Sequence, residues 1–354
     1  MDIKMNGSEL NWMLKVITRF IDSKVPATAG VQVTHENNKL TMRGRSSMFQ
    51  AEVSVPLIGG DSENFCVNGE MFSKLTSANS GDVSIRTDAK NCVLKGIGRA
   101  RIPILESTVP ELEMVEGECV KVAADKFVEC YQNVSYAIAV ESNMPVLTGV
   151  LVESDGSRMK MVALDGFQMS IDEVPCEGSS VKIIIPGMFM DAVTKCLPKD
   201  GDVSILTDGR RVCITTDGMA MKCGLMNGDY IDYTKLFPKE FSTESRVRVD
   251  DMRNALKAGS LINSKQNLVK LRIEEDSIVV TKNSEEADYE ADVDCSTHGN
   301  GLQIAFNNRY LMNAMNAIGT EYAVMKFNLA VSPMVMTDEN GDGLRLCLPV
   351  RVMG

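Results

Sequence analysis

Short runs in which apolar and polar residues alternate recur along the whole chain, among them Val31-Gln32-Val33-Thr34, Ser277-Ile278-Val279-Val280-Thr281 and Gln303-Ile304-Ala305-Phe306. A two-residue period belongs to half-buried strands, and the Asn, Asp and Gly residues between the runs predict antiparallel pairing. Six segments replace this period with apolar residues three and four apart. One set covers 8–20, 125–136 and 250–261, and the other covers 70–78, 187–197 and 307–318. In the first of these, Leu10, Met13, Leu14 and Ile17 share one helical face. The first set opens on Ser8, Asp125 and Asp250, residue types that cap helices.

The two sets alternate along the chain, which is the order of an internal repeat. The string Gly81-Asp82-Val83-Ser84-Ile85, just after a second-set helix, returns as Gly201-Asp202-Val203-Ser204-Ile205. A diverged third copy is Glu321-Tyr322-Ala323-Val324-Met325-Lys326-Phe327. A chain of 354 residues exceeds one ordinary core. The sequence therefore predicts three units, 1–115, 116–243 and 244–354, each with two helices and about eight strands. The class is α+β, with paired helices packed on antiparallel sheets.

Composition fits an ordinary globular chain, with 44% hydrophobic and 24% charged residues. No stretch approaches the roughly 18 apolar residues of a membrane span, and residues 1–20 lack a basic segment followed by an apolar one, so a cytoplasmic chain without a membrane partner is expected. The ten cysteines never form CxxC and mostly sit in apolar runs such as Val212-Cys213-Ile214, as buried reduced thiols do. A net charge of −11 excludes nucleic-acid binding over the whole surface, and confines any DNA contact to a local patch.

Chemistry of the enzymatic kind has little to work with. The two histidines, His35 and His298, lie in polar segments that read as solvated turns, away from any nucleophile or ligand cluster. Gly96-Ile97-Gly98 lacks a third glycine, and there is no Walker loop. Asp338-Glu339-Asn340-Gly341-Asp342-Gly343 fits the first half of a calcium loop, but its twelfth position is Pro349 where a bidentate Glu is required, so a hairpin turn is expected. No catalytic residue, metal or cofactor is predicted.

Three strings resemble the bacterial DNA polymerase III beta subunit family, the sliding clamps. They are Val162-Ala163-Leu164-Asp165-Gly166-Phe167-Gln168-Met169, then Gly228-Asp229-Tyr230-Ile231-Asp232-Tyr233-Thr234-Lys235-Leu236-Phe237-Pro238, and Leu348-Pro349-Val350-Arg351-Val352 at the end. They occur in the family's order and spacing within a threefold repeat. The resemblance spans the whole chain and implies three clamp domains in an arc, two chains closing head to tail as a homodimeric ring around duplex DNA. It also implies a non-catalytic processivity factor that tethers DNA polymerase, a clamp loader and other proteins carrying a clamp-binding motif. Departures occur at Phe167-Gln168, where the family commonly has His-Arg, and at Lys235, often Arg.

Three groups of residues follow. A ring that slides needs sequence-independent attraction to phosphates. Lys15 and Arg19, Lys24, Arg253 and Lys257 in or after the first helix set, and Lys74, Lys195, Lys199 and Arg309 on or beside the second, are its candidate contacts. Any surface helix carries Lys and Arg, and the recurrence of the spacing between units is what favours DNA. The resemblance carries over a partner-peptide pocket comprising Leu147, Leu164, Gly166, Phe167, Met169, Ile231, Lys235, Leu236, Val331, Leu346, Leu348, Pro349, Val350 and Arg351, although Leu164 and Leu346 also read as core. It places the dimer seam at Arg99, Arg101 and Ile104 against Leu261, Ile262, Glu285 and Glu286. The competing reading is a monomeric peptide-binding adaptor that does not encircle DNA.

Overall fold

A computed structural model of the chain describes residues 3–79, 81–262 and 267–351. Within them the helices are α1 (Gly7–Ile17), α2 (Gly69–Thr76), α3 (Ala124–Ser135), α4 (Gly187–Thr194), α5 (Val249–Ser260) and α6 (Asn308–Asn316). All six coincide with the periodic segments, and α1 buries Leu10, Met13, Leu14 and Ile17 as its pattern requires. The caps differ from expectation. Asn6, not Ser8, caps α1, its side chain accepting from the Ser8 amide at 2.8 Å. Asn68 and Asn307 cap α2 and α6 in the same way. The cap position of α5 is Arg248, which makes no side-chain capping bond, and Asp250 and Asp251 instead lie in the first turn, where they offset the helix dipole. Helices also end earlier than their apolar pattern, since residues such as Phe20 close tighter turns onto the last helical carbonyls.

One joint occurs three times. The first amide of a first-set helix donates to the carbonyl that opens the strand after the second-set helix: Gly7 to Gly81, Ala124 to Gly201 and Val249 to Glu321, each at 2.9 Å. The flanking strands then pair antiparallel, Ile3–Asn6 with Asp82–Thr87, Glu118–Ala123 with Asp202–Thr207, and Thr243–Arg248 with Tyr322–Phe327. This is the physical content of the repeated Gly-Asp-Val-Ser-Ile string, and it assigns the diverged third copy the same role. At Gly7 the approach is close enough to need glycine, because a Cβ there would lie 2.4 Å from the Asn79 carbonyl oxygen.

The chain divides into two compact units. One contains residues 1–125, 176–181 and 188–225, the other 126–175, 182–187 and 226–354. The first holds a four-stranded and a nine-stranded sheet, and the second a twelve-stranded sheet. The second repeat is shared between them. Its strand Met219–Gly224 pairs with Phe49–Pro56 of the first repeat, and its strand Gln168–Pro175 pairs with Leu344–Cys347 of the third. Sheets therefore run through the junctions between repeats, which hydrogen bonding between neighbouring edges favours because it leaves no bare edge there.

In the first unit Phe189 packs its ring against Phe20 and Phe49, with centroids 6.1 and 5.4 Å away. In the second, Leu256, Phe306, Leu311, Met315 and Phe327 are among the fully covered residues of a core beneath α5 and α6. The ten thiols are free, and eight are buried. Burial pushes Cys92 up to about 12, keeping it protonated. His35 corrects the expectation of a solvated turn: it lies in the strand Gly30–Glu36, 3% exposed, with ring nitrogens 3.0 and 3.1 Å from the Asp61 and Leu57 carbonyls. Its neighbours in sequence are polar, but alternate strand positions face inward. The 338–343 segment is the turn of a hairpin, Met334–Asp338 with Leu344–Cys347, held by Asp338 accepting from Asn340 and Asp342.

Candidate functional site

In the second unit the strands Arg158–Leu164 and Gln168–Pro175 are joined by a turn at Asp165, Gly166 and Phe167. Asp165 Oδ1 accepts from the Phe167 and Gln168 amides at 2.8 and 2.9 Å, and Gly166 has φ of 91°, a conformation that favours glycine. The turn turns Phe167 outward, 58% exposed, with its ring stacked on Tyr310 of α6 at 5.9 Å between centroids. The Phe167 carbonyl accepts from the Leu348 amide at 2.9 Å, and Val350 donates to the Ala305 carbonyl at 2.8 Å. Residues 348–350 are thus pinned between the turn and the strand Leu302–Asn307.

Beneath this rim Leu147, Leu164, Met169 and Leu346 form one buried apolar cluster, with Ile231 and Leu348 packed at its margin. Lys235 and Leu236 are exposed on the single turn Tyr233–Leu236, where Lys235 pairs with Asp232 at 2.8 Å. Val331, Val350 and Arg351 line a pocket of about 470 Å³ with Ile304 and Ala305, and Pro349 is half-buried between. The carried-over residues therefore gather in one region. Leu164 and Leu346 are its floor, as the core reading had it. Tyr310 was absent from the sequence-derived set. Its only signal was an aromatic residue beside Arg309 on a helix, and the stacking on Phe167 depends on a contact between residues far apart in the chain. Val352, Met353 and Gly354 lie outside the described residues.

A buried arginine holds the floor in place. Arg345, 3% exposed, donates from Nη1 to the Ile171 carbonyl at 2.6 Å and from Nη2 to the Ala317 carbonyl at 3.0 Å, with Asp172 3.8 Å away. Burial pushes the Asp172 carboxyl above its ordinary value, while Arg345 and a hydrogen bond from Asn133 pull it back. The guanidinium ties the strands Gln168–Pro175 and Leu344–Cys347 to the end of α6.

The cationic residues fall in separate places. In the first unit Lys15 and Arg19 are exposed on α1 and just past its end, and the Arg19 side chain meets the Cys196 thiol, beside Lys195. Lys24 and Lys199 are exposed in the following turns, and Lys74 is paired with Glu70 on α2. In the second unit Arg253, Lys257 and Arg309 line one groove of about 750 Å³ between α5 and α6, with Asn254, Asn313 and Asn316 among its walls. Arg253 is half-buried and its Nη2 donates to the Met315, Asn316 and Ile318 carbonyls, so it closes the end of α6 rather than standing free.

Two strand edges stand apart. Arg99–Pro103 is the outer strand of the four-stranded sheet, with Arg99 and Arg101 exposed and Ile104 half-buried against Val67. In the second unit Asp288–Gly299 pairs with Ser277–Asn283 through residues 288–294 and with Thr243–Arg248 only through 295–299. Residues 288–294 therefore leave one edge open among the described residues, with Asp288, Glu290, Asp292 and Asp294 exposed. Glu285 and Glu286 are exposed in the adjoining turn, Leu261 is 84% exposed at the end of α5, and Ile262 is half-buried. Open edges are places where sheets recruit further strands.

Threefold helix pairs on antiparallel sheets, with one positive and one negative open edge, define a repeated-domain architecture whose relatives can be identified. Residues 121–232 match the DNA polymerase III beta subunit central domain, and residues 234–351 its C-terminal domain. The chain belongs to the DNA polymerase III beta subunit family, the bacterial beta sliding clamps. It is 25% identical to the beta sliding clamp homolog GriR of Streptomyces muensis, over 90% of this chain and 87% of that one. It is 24% identical to the beta sliding clamp of Lactococcus lactis, over 98% of each. The sliding clamp of Bacillus subtilis has the same fold, with a TM-score of 0.93 at 20% identity over the whole of both chains. So does the Pseudomonas aeruginosa clamp bound to griselimycin, with a TM-score of 0.93 at 19% identity, covering 99% of this chain and all of that one.

Proposed function

We propose that two copies of this chain close head to tail into a ring around duplex DNA, and that the ring holds a replicative polymerase and other partners to the template through short peptides. The observation that carries this reading is the pair of open strand edges of opposite charge, Arg99 and Arg101 in the first repeat and residues 288–294 in the third. Joining them continues two sheets and pairs their charges, with Leu261 and Ile262 as the apolar contribution. With repeat limits at 1–115, 116–243 and 244–354, six similar units related by about 60° complete a ring. Lys15, Arg19, Lys24, Lys195, Lys199, Lys257 and Arg309 then supply sequence-independent attraction to phosphates, and the acidic remainder of the surface steers DNA away from itself. Arg253 and Lys74, both engaged within the chain, contribute through the field alone. The role is non-catalytic and cytoplasmic, with a loader opening the seam.

Solution mass by light scattering, followed by retention on nicked circular DNA with a loader and release on linearisation, tests the ring. A dimer that stays on circles and leaves linear ends supports it. A monomer, or retention that ignores circularity, sinks it in favour of the adaptor.

The pocket around Phe167 is read as the peptide site. Apolar floor and exposed aromatic rim suit a peptide's Leu or Phe anchors, with Lys235 and Arg351 for its polar groups. Phe167→Ala is expected to weaken binding of such a peptide about tenfold, with the melting temperature almost unchanged because the ring is largely exposed. Fluorescence polarisation of a labelled clamp-binding peptide, beside a thermal melt, checks both halves.

A further inference from the structure

The threefold joint fixes which helix positions correspond, because Gly7, Ala124 and Val249 make the same bond. Counting from them, the outward stripe of α1 and the residues after it is Ser8, Trp12, Lys15 and Arg19, at spacings of four, three and four that keep one face. On α3 the matching exposed positions are Asp125, Glu129 and Gln132, and on α5 they are Asp250, Asn254 and Lys257. Only the α1 stripe has cations and no carboxylate. Glu129 is moreover joined to Lys126 at 2.8 Å. The three helices are therefore not interchangeable as DNA-facing surfaces.

Trp12 stands in the middle of the cationic stripe. It is the chain's only tryptophan and is 38% exposed, while Leu10, Met13, Leu14 and Ile17 on the opposite face supply the core contacts. An indole is the best of the side chains for stacking on a base, and cations one turn away hold the phosphates that flank it. A paired base offers no face to stack upon, since both faces are covered by its neighbours. Single strands and primer–template junctions do offer one.

We infer that the α1 stripe of Trp12, Lys15 and Arg19 is a contact for single-stranded DNA, such as the unpaired template beside a primer end, with Trp12 stacking on a base and the two cations on adjacent phosphates. The inference deepens the ring reading, which turns this face toward DNA. It also makes the first repeat the principal DNA contact, in place of equal sharing among the three.

Because there is one tryptophan, emission excited selectively from the indole, at a wavelength the tyrosines do not absorb, reports on this position alone. It would be titrated with an oligothymidylate of about 20 nucleotides, a blunt duplex of equal length and a primed template. Quenching by the single strand and the primed template but not by the blunt duplex is expected. By anisotropy of a labelled oligothymidylate, Trp12→Ala is expected to lower affinity at least fivefold, Trp12→Phe to retain it within about twofold, and Lys15→Gln or Arg19→Gln each to reduce the salt dependence by about 0.7 in the log–log slope. Unchanged emission with the single strand, or equal quenching by the blunt duplex, overturns the inference. Retention on nicked circles separates the two readings: a retained clamp with unresponsive Trp12 leaves the ring standing and removes this contact, whereas single-strand quenching without retention supports the contact and removes the ring.

Discussion

Replacing Arg345 with Met lowers the unfolding free energy by about 3–5 kcal/mol, because removal of one partner strands a buried charge. The guanidinium is 3% exposed and the Asp172 side chain only 14%, so little solvent is available to take over. Two carbonyls, of Ile171 and Ala317, lose their donors at the same time. Methionine fills much of the volume, so the loss reads as electrostatic and hydrogen-bonding rather than as a cavity. Adding Asp172→Asn removes the stranded charge and is expected to restore part of the stability. Urea unfolding of the wild type, both single variants and the double variant measures the coupling.

The pH dependence of that variant has a definite sign. The folded-state pKa of Asp172 lies above 3.8, its ordinary value. The folded chain then holds this proton more tightly than the unfolded one, and the associated stability is present below pH 3.8 and lost as pH rises through the folded pKa. Arg345 is the cation that limits the shift. Without it the carboxyl rises further, so the gap between wild type and Arg345→Met is expected to be narrow in acid and widest near neutrality. A gap independent of pH would mean that Arg345 contributes through its hydrogen bonds to the Ile171 and Ala317 carbonyls alone.

Leu261→Asp is expected to have the second large effect, on assembly instead of folding. Its side chain is 84% exposed, so the chain alone loses almost nothing and the melting temperature of the monomer changes little. At the proposed seam, however, the substitution removes an apolar anchor and adds a carboxylate close to an already acidic edge. The dimer dissociation constant is expected to rise about 100-fold or more, equivalent to roughly 3 kcal/mol, with retention on circular DNA lost in parallel. Sedimentation across a dilution series separates the species. A dimer of unaltered strength would remove Leu261 from the seam while leaving the rest of the fold untouched.

Local pattern was sufficient for much of this protein. Period-two strands, the six helical segments and the Gly-Asp-Val-Ser-Ile string were legible because each depends on residues within a turn or two of one another, and the three family-like strings drew attention to Phe167, Ile231 and Val350. Caps slipped by a residue or two, since Asn6, Ser8 and Asp250 are all capping types and only the backbone decides which one stands at the boundary. The tertiary structure alone decided the rest. His35 lies in a polar stretch but faces inward. Arg253 reads as a free cation until α6 presents its carbonyls, and Tyr310 is an ordinary helical aromatic until Phe167 meets its ring. Arg345 looks like one more surface charge in an alternating strand, yet its partners come from Ile171, Asp172 and Ala317. Each of these depends on groups brought together across long separations in the chain, where no periodicity in the sequence can record which donor meets which acceptor.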